Sequence, residues 1–287
     1  MTTPSLYMRD RSPTFPFGLP STPRPPRRPR GQASALVLGV YPSALHVRWT
    51  PPTWAQRRLG IGPIGALAVD DEPTVFWDGS DALSRVDAWI DRVGFRVGDG
   101  DDQWGRVIAA GNGTSGRSVE DRILVPLGLD PRDVWFTDIV DTFFVKSGSK
   151  PRQQVEATLA EYAPFAEALG LPQANLPLRP PIAQMLRLAL RTQADRLRSE
   201  IEAASTPLIV TLGEEARRVL LEFGEAASGP PTGELKAARF AADPDAYGGV
   251  GEITLGGHTV KWRAMLHPGQ RSAAWARIQN SWIERQA

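Results

Sequence analysis

The chain has 287 residues, of which 41% are hydrophobic and 23% are charged, so it can form one large domain or at most two small ones. Its 33 lysines and arginines against 32 aspartates and glutamates exclude a polycation that coats nucleic acid over its whole surface. The absence of cysteine excludes disulfides, thiolate metal sites and cysteine-ligated iron–sulfur clusters. No apolar run approaches the roughly 20 residues of a membrane span, and the N-terminus lacks the apolar stretch of a signal peptide. We therefore expect a cytoplasmic protein that does not bind membranes.

Proline and arginine dominate the beginning of the chain, above all residues 20–30. Such a segment cannot bury apolar surface and favours extended polyproline conformations, so we predict a disordered basic arm over residues 1–32 and a folded domain over residues 33–287. Two interpretations of the arm stay open. It tracks DNA phosphates through Arg27, Arg28 and Arg30, or it only keeps the chain soluble.

From residue 33 onward, short apolar runs that predict strands alternate with amphipathic segments that predict helices. Buried strands are predicted at residues 35–40, 134–140 and 207–213, and an antiparallel or edge ribbon at residues 44–49, 66–69 and 74–77. A hairpin is predicted over residues 252–266 around a Gly256–Gly257 turn.

The helical periodicity predicts helices at residues 81–93, behind a cap at Asp81, and at residues 118–127, 152–169, 182–204, 214–223 and 271–285. The alternation of strands and helices predicts an α/β fold with helices on both faces of a mainly parallel sheet. Ligands of such folds bind beyond the carboxyl ends of the strands.

Polar or turn residues end three of the predicted strands, in the order Gly39-Val40-Tyr41-Pro42-Ser43, Thr137-Asp138 and Leu266-His267-Pro268-Gly269. Together with the stretches 113–124 and 209–216, this set resembles the uracil-DNA glycosylase superfamily, as a divergent bacterial member without cysteine or iron–sulfur cluster. The resemblance covers most of residues 33–285.

The resemblance implies a three-layer α/β/α sandwich around a central, mainly parallel four-stranded sheet. It implies a DNA glycosylase that flips a base out of single- or double-stranded DNA and hydrolyses its N-glycosidic bond, which leaves an abasic site. It also implies that no cofactor or metal is needed, and we expect a monomer.

The resemblance assigns catalytic roles to His267, Tyr41 and Asp138. A histidine donor at position 267 would stabilise the base as it departs as an anion. The alternative is a histidine that caps a helix or hydrogen-bonds within a turn, which is the role that we assign to His46 and His258.

Val40 and Tyr41 stand where the family usually has an aspartate, asparagine or glutamate that positions the attacking water. Tyrosine can hydrogen-bond or stack, but with a reference pKa of about 10 it is a poor general base at neutral pH. The group that holds the water is therefore left open. It is either a backbone carbonyl or one of the side chains of Ser43, Asn112, Asp70 and Asp71.

Asp138 replaces the asparagine with which uracil-excising relatives read the base. An ionised carboxylate only accepts hydrogen bonds, so it would repel a uracil carbonyl and accept from the amine of a cytosine-like base. Since removal of ordinary cytosine would destroy the cell's own genome, this favours a modified, phage-type cytosine. The superfamily that the chain resembles includes members that attack modified viral cytosines, so the resemblance implies a role in antiviral defence. An ordinary uracil-DNA repair glycosylase is the alternative target assignment. A structural alternative is that Asp138 caps the next helix or pairs with an arginine.

The remaining candidate residues would bind the base or the DNA. Gly39, Pro42, Ser43 and Asn112 are expected around the base, with Phe76 and Trp77 as aromatic walls. The loop with Gly269, Gln270 and Arg271 is where the family contacts DNA. A rival interpretation from another functional class is a catalytically silent module that binds DNA or nucleotides on the same fold.

Overall fold

Two β-sheets with helices packed around them form the protein, whose computed structural model describes residues 18–98, 103–146, 154–174, 176–226, 232–270 and 272–286. In chain order the strands are β1 (Ala35–Gly39), β2 (Ala44–Thr50), β3 (Ile64–Asp71), β4 (Arg106–Ala109), β5 (Val134–Asp138), β6 (Leu208–Leu212), β7 (Glu225–Ala226), β8 (Gly251–Leu255) and β9 (His258–Met265). The helices are α1 (Thr53–Leu59), α2 (Ala82–Val93), α3 (Thr114–Val119), α4 (Gln154–Ala157), α5 (Ala163–Leu169), α6 (Ile182–Thr192), α7 (Ala194–Ala204), α8 (Glu214–Phe223), α9 (Ala237–Ala242) and α10 (Ala273–Glu284).

The larger sheet has the strand order β5-β1-β6-β9-β8-β7, and its first four strands run parallel. All five residues of β1 are buried, because the strand lies between β5 and β6 and its side chains alternate between two cores. Leu36 and Leu38 pack with residues of α6, α7 and α8, whereas Ala35 and Val37 pack with residues of α9 and α10. Helices therefore cover both faces of a mainly parallel sheet, which confirms the α/β arrangement predicted from the sequence.

The smaller sheet is antiparallel, with the strand order β3-β2-β4, and it has a separate core. Trp49 on β2 packs at 5.1 Å from Phe165 of α5, centroid to centroid. Only residues 40–43 separate β1 from β2, so this short loop passes directly from the larger sheet to the smaller one. Whatever the loop carries lies at the junction of the two sheets.

Most of the predicted elements are confirmed, but four differ in their details. Residues 74–77 form a turn instead of a strand, since Trp77 N–H donates to the Thr74 carbonyl at 3.1 Å and Phe76 has a left-handed φ of 54°. The helix predicted from residue 118 already begins at Thr114. The helix predicted over residues 182–204 is interrupted at Gln193, which separates α6 from α7.

The fourth difference concerns Asp81, which precedes α2 but does not cap it with its side chain. Its carboxylate instead accepts the indole N–H of Trp77 at 2.8 Å and pairs with Arg85. The last predicted helix begins at Ala273, behind a Ser272 side-chain cap, and Arg271 lies outside the described residues.

The predicted disordered arm differs from the structure in its described part, residues 18–32, which lie along the folded body. Arg27 exchanges two main-chain hydrogen bonds with Phe136 of β5, each 2.9 Å long. Thr22 donates from its main chain and its hydroxyl to Asp71. The arm thus covers the open edge strand of the larger sheet, where its main chain finds partners that a composition-based prediction does not consider. Residues 1–17 lie outside the described residues.

Among the residues that the structure describes, no helix combines the length and the apolar composition that crossing a membrane requires.

Candidate active site

A cavity of about 270 Å³ opens beyond the carboxyl ends of β1 and β5, next to the loop that joins the two sheets. All three motif-bearing turns reach it, because the carboxyl ends of parallel strands meet at one edge of a sheet. The predicted site residues that line it are Gly269, His267, Asp138, Tyr41, Pro42, Ser43 and Phe76. Glu72, His46, Phe143, Phe144 and Lys146 line it as well.

His267 is half-buried on the loop after β9, and its hydrogen bonding fixes which ring nitrogen carries the proton. Its Nδ1 accepts the main-chain N–H of Gly269 at 3.0 Å. In the neutral ring the proton is then on Nε2, which is left as a donor. Burial, followed by the positive charges of Lys146 and Arg179, lowers the pKa of His267 to about 4. At neutral pH the ring is therefore an uncharged hydrogen-bond donor.

Asp138 ends β5 and is 3% exposed, and its Oδ1 has no hydrogen-bond partner in the described chain. Burial raises the pKa of its carboxyl well above the usual range; the negative charge of Glu72 adds to this, and Arg196 opposes it. A carboxyl with a raised pKa keeps its proton over a wider pH range, and in the protonated form it both donates and accepts. The expectation of an ionised, accept-only carboxylate did not include this burial.

Neither structural alternative for Asp138 is seen among the described contacts. Arg196 donates to the main-chain carbonyl of Asp138 at 2.7 Å, while its ion pair is with Glu200. Thr137 donates its hydroxyl to the same Glu200 at 2.6 Å. The main chain at the end of β5 is therefore held by α7, and the Asp138 carboxyl is left to the cavity.

Gly39 permits this placement by bringing the β1 main chain close to the Asp138 carboxyl. A Cβ atom at position 39 would lie 2.1 Å from Asp138 Oδ1 and 2.6 Å from Phe76 Cζ. No side chain larger than hydrogen fits at this distance without moving both neighbours.

Tyr41 is half-buried in the cavity wall rather than placed as a base. The guanidinium of Arg179 lies 5.8 Å from its ring centroid, and Phe144 meets the ring edge-on at 5.5 Å. Burial raises the pKa of the Tyr41 hydroxyl, so it remains a neutral phenol. The geometry suits stacking and hydrogen bonding.

The aromatic wall of the cavity is partly the predicted one. Phe76 lines the cavity, 5.7 Å from the Phe136 ring, and keeps its left-handed backbone. Trp77 does not line the cavity, because its indole points to Asp81 and its ring packs in the core of the smaller sheet. Phe143 and Phe144 take its place, on a segment after β5 for which the sequence offered no periodic pattern.

Glu72 is a cavity residue that the sequence prediction missed. It follows β3, is 3% exposed, and its Oε1 accepts the main-chain N–H of Ser43 at 2.8 Å. Burial raises the pKa of Glu72 to about 8, opposed by the main-chain N–H groups of Ser43, Phe76 and Trp77. The acidic run Asp70-Asp71-Glu72 at a strand end was the available signal.

Asp70 and Asp71, the two candidates chosen from that run, do not line the cavity. The Asp70 carboxylate pairs with Arg92. Asp71 accepts from Thr22 at 2.5 Å and pairs with Arg24 at 3.5 Å. Glu72 lies just beyond the end of β3, and it is the one acidic residue of this run that lines the cavity.

His46, assigned to a purely structural role, also lines the cavity from β2. Its Nδ1 is buried without a hydrogen-bond partner in the described chain, and burial lowers its pKa to about 4. Asn112 lies behind it rather than in the cavity: its Oδ1 accepts the His46 N–H at 2.8 Å and its Nδ2 donates to the His46 carbonyl at 2.9 Å. His258 is exposed in the β8–β9 hairpin.

The predicted DNA contacts divide into engaged and exposed residues. Arg27 is engaged, since its guanidinium lies 3.8 Å from the Phe136 centroid, pairs with Glu120 at 3.7 Å and has a pKa lowered by burial. Arg28 is exposed over the Trp135 ring at 4.8 Å, and Arg30 is exposed. Gln270 is exposed beside the cavity loop. Of the three arginines, Arg27 therefore serves the fold.

In the described part of the chain, no group of three or more His, Asp or Glu side chains has a geometry that could hold a metal ion. No protein-family model matches the chain, and no curated protein matches it.

Proposed function

We propose that this chain is a DNA glycosylase that binds a flipped base and hydrolyses its N-glycosidic bond. The observation that supports the proposal most directly is the convergence of His267, Asp138 and Tyr41, from three separate turns, on one cavity. These turns also carry the resemblance to the uracil-DNA glycosylase superfamily. Titratable groups with shifted pKa values in a concave site are typical of active sites.

The size and lining of the cavity suit a single nucleobase. A volume of about 270 Å³ corresponds to about nine water molecules at roughly 30 Å³ each, enough for a pyrimidine and a substituent. Base flipping costs a few kcal/mol, which stacking on Tyr41 and Phe144 and hydrogen bonds to Asp138 would offset.

His267 would supply the stabilisation of the leaving group. As the glycosidic bond breaks, negative charge develops on the pyrimidine, and a neutral Nε2–H donor can bind its carbonyl oxygen. A donor that is already in place does not need to reorganise when the charge appears, and such donors contribute about 10²–10³ in rate.

The proposed target is a modified cytosine in foreign DNA, in keeping with a defence role. A protonated Asp138 can donate to cytosine N3 and accept from the N4 amine, a pairing along the edge that distinguishes this base. The same neutral carboxyl can accept from uracil N3–H and donate to O4. Since burial raises the pKa of Asp138 and so favours this protonated form, uracil is the second candidate target.

A substrate screen tests the proposal. Oligonucleotides carrying uracil, hydroxymethylcytosine or glucosylated hydroxymethylcytosine, single- and double-stranded, are incubated with the protein, and abasic sites are read by alkaline strand cleavage. We expect abasic sites with modified cytosine, and a loss of about 10²–10³ in single-turnover rate for His267→Ala. His258→Ala, the exposed histidine, is the matched control.

The outcomes separate the candidates. Excision of uracil alone would assign an ordinary repair glycosylase. Retained DNA binding without abasic sites on any substrate would refute the proposal and indicate a catalytically silent binding module. Full excision by His267→Ala would contradict the role of His267.

A further inference from the structure

Hydrolysis requires a group that takes a proton from the attacking water, and the proposed function leaves that group unnamed. Four imidazole or carboxyl side chains line the cavity and are candidates for this group: His46, Glu72, Asp138 and His267. Assigning one of these groups to the reaction rests on the proposed function.

Three of the four are poorly suited to accept the proton. His267 has its Nδ1 occupied by the Gly269 N–H, so only its donor nitrogen is left. Oδ1 of Asp138 is enclosed against the main chain of Gly39 and the Phe76 ring, and its carboxyl is placed at the base-reading strand end. His46 is a weak base, because burial lowers its pKa to about 4.

Glu72 has the geometry that the other three lack. Its Oε1 is fixed by the Ser43 N–H at 2.8 Å, which holds the carboxyl beside the loop after β1. Within the described chain it forms no ion pair, and it is 3% exposed. The main-chain N–H groups of Ser43, Phe76 and Trp77 together hold this carboxyl in the cavity wall, where it faces whatever occupies the cavity.

We propose that Glu72 is the general base of the reaction, and that it accepts a proton from the water that attacks C1′ of the flipped nucleotide. The water oxygen bonds to C1′ while the C1′–N1 bond breaks, and the bonding pair leaves with the base towards the His267 Nε2–H. The water proton moves to Glu72 and then to solvent, and the departed base takes a proton from solvent. The net change is the addition of one water across the glycosidic bond.

The protonation of Glu72 makes this assignment testable by pH. Its pKa of about 8 means that the ionised, proton-accepting fraction grows as pH rises through neutrality. General bases work best when their pKa lies near the operating pH. The charged or titratable groups that face Glu72 or share its cavity are Asp71, Asp138, Arg27, His46, His267, Tyr41 and Lys146.

The competing explanation is that Glu72 only caps the turn at residues 73–77 through main-chain N–H groups. Glu72→Gln separates the two, because the amide oxygen still accepts the Ser43 N–H but the side chain cannot take a proton. Asp87→Asn is the matched control, since it removes an exposed carboxyl that does not line the cavity.

The experiment measures single-turnover excision of the base that the wild type removes, between about pH 5 and about pH 9. For the wild type we expect a rate that rises with pH and levels off near pH 8. Glu72→Gln should be slower by about 10²–10⁴ with no rising limb, at unchanged DNA affinity. Asp87→Asn should keep the wild-type profile.

A Glu72→Gln protein that keeps its rate within about fivefold, or that is slow but keeps the rising limb, would overturn the assignment. If Glu72→Gln does not fold, formate is added to Glu72→Ala, where recovery of rate supports the base and absence of recovery opposes it. A wild type that forms no abasic site on any substrate would instead refute the proposed function itself.

Discussion

At the scale of single residues, Gly39 determines where the Asp138 carboxyl lies. The Asp138 carboxyl and the Phe76 ring both rest against its Cα, at distances that leave no space for a methyl group. A glycine inside a buried strand usually lowers the stability of the sheet, because it has no side chain to pack. Here the missing side chain creates the position of two cavity residues at once.

Gly39→Ala is therefore expected to displace Asp138 and Phe76 from the cavity. We predict a loss of about 1–3 kcal/mol in the free energy of unfolding from overpacking, together with at least a tenfold lower excision rate. Chemical denaturation and the abasic-site assay measure the two effects. Gly65→Ala on β3 is the control, since a Cβ atom added at that position would meet no heavy atom within 4 Å. Equal behaviour of the two variants would contradict this role of Gly39.

The residues that could be predicted for the site are those at the ends of parallel strands. Asp138 and His267 follow apolar runs, and the sheet edge brings such positions together whatever the intervening sequence. Glu72 and His46 were missed because they belong to the smaller sheet. How two sheets face each other depends on tertiary packing, and no local pattern in the sequence carries that information.

At the scale of elements, the arm shows how a segment without apolar character can become part of the fold. It contributes main-chain pairing to β5 and side-chain contacts to three cavity-forming segments. The Ser21 hydroxyl accepts the Phe143 N–H at 3.0 Å, Thr22 holds Asp71, and Arg27 donates to the Phe76 carbonyl at 3.4 Å. The arm thus braces the walls of the cavity.

Arg27→Ala is expected to lower the free energy of unfolding by about 1–3 kcal/mol, because a cation–π contact, an ion pair and a hydrogen bond are lost together. Arg30→Ala, at an exposed position, should change it by no more than about 0.5 kcal/mol. Urea denaturation compares the two. If Arg27→Ala instead kept its stability and weakened DNA binding with a smaller salt dependence, the DNA-tracking interpretation of the arm would be correct.

The hydrophobic pattern of the sequence predicted two kinds of element correctly: strands that are buried on both faces and helices that are buried on one face. The apolar run of β1 and the amphipathic pattern of α8 are unambiguous in this respect. The turn at residues 74–77 has strand-like composition, but Glu72 gathers its main-chain N–H groups around a buried carboxyl. These hydrogen bonds to a buried carboxyl outweigh the β propensity of the segment, and the local sequence does not show them.

At the scale of the whole molecule, the titratable groups of the cavity make the free energy of unfolding depend on pH, and the carboxyl and imidazole groups act in opposite directions. Glu72 has an unfolded-state pKa near 4.5 and a folded-state pKa of about 8, so its contribution is fully present below about pH 4.5 and is lost as pH rises through 8. His46 and His267 have folded-state pKa values of about 4, below the 6.5 of the unfolded chain. Their contributions are present above pH 6.5 and are lost as pH falls through 4.

The wild-type protein is therefore expected to lose stability between about pH 6.5 and about pH 8. In this range the contribution of the two histidines is constant, whereas the contribution of the buried carboxyls falls. The slope should be on the order of 1 kcal/mol per pH unit. Urea denaturation of the wild type and Glu72→Gln across this range measures it, and the variant should show a shallower decline. Asp87→Asn, which removes an exposed carboxyl, should follow the wild type. A wild-type stability that is constant over the range would contradict this account.

The separate packing of the two sheets has a consequence for how this protein can change over time. The group proposed to recognise the base sits on the larger sheet, and the group proposed to activate water sits on the smaller one. A lineage could therefore exchange the residue at position 138 and acquire a new target while the hydrolytic half, anchored in other hydrophobic neighbours, stays as it is. Selectivity and chemistry would then change at separate residues, which influence each other through their charges across the cavity.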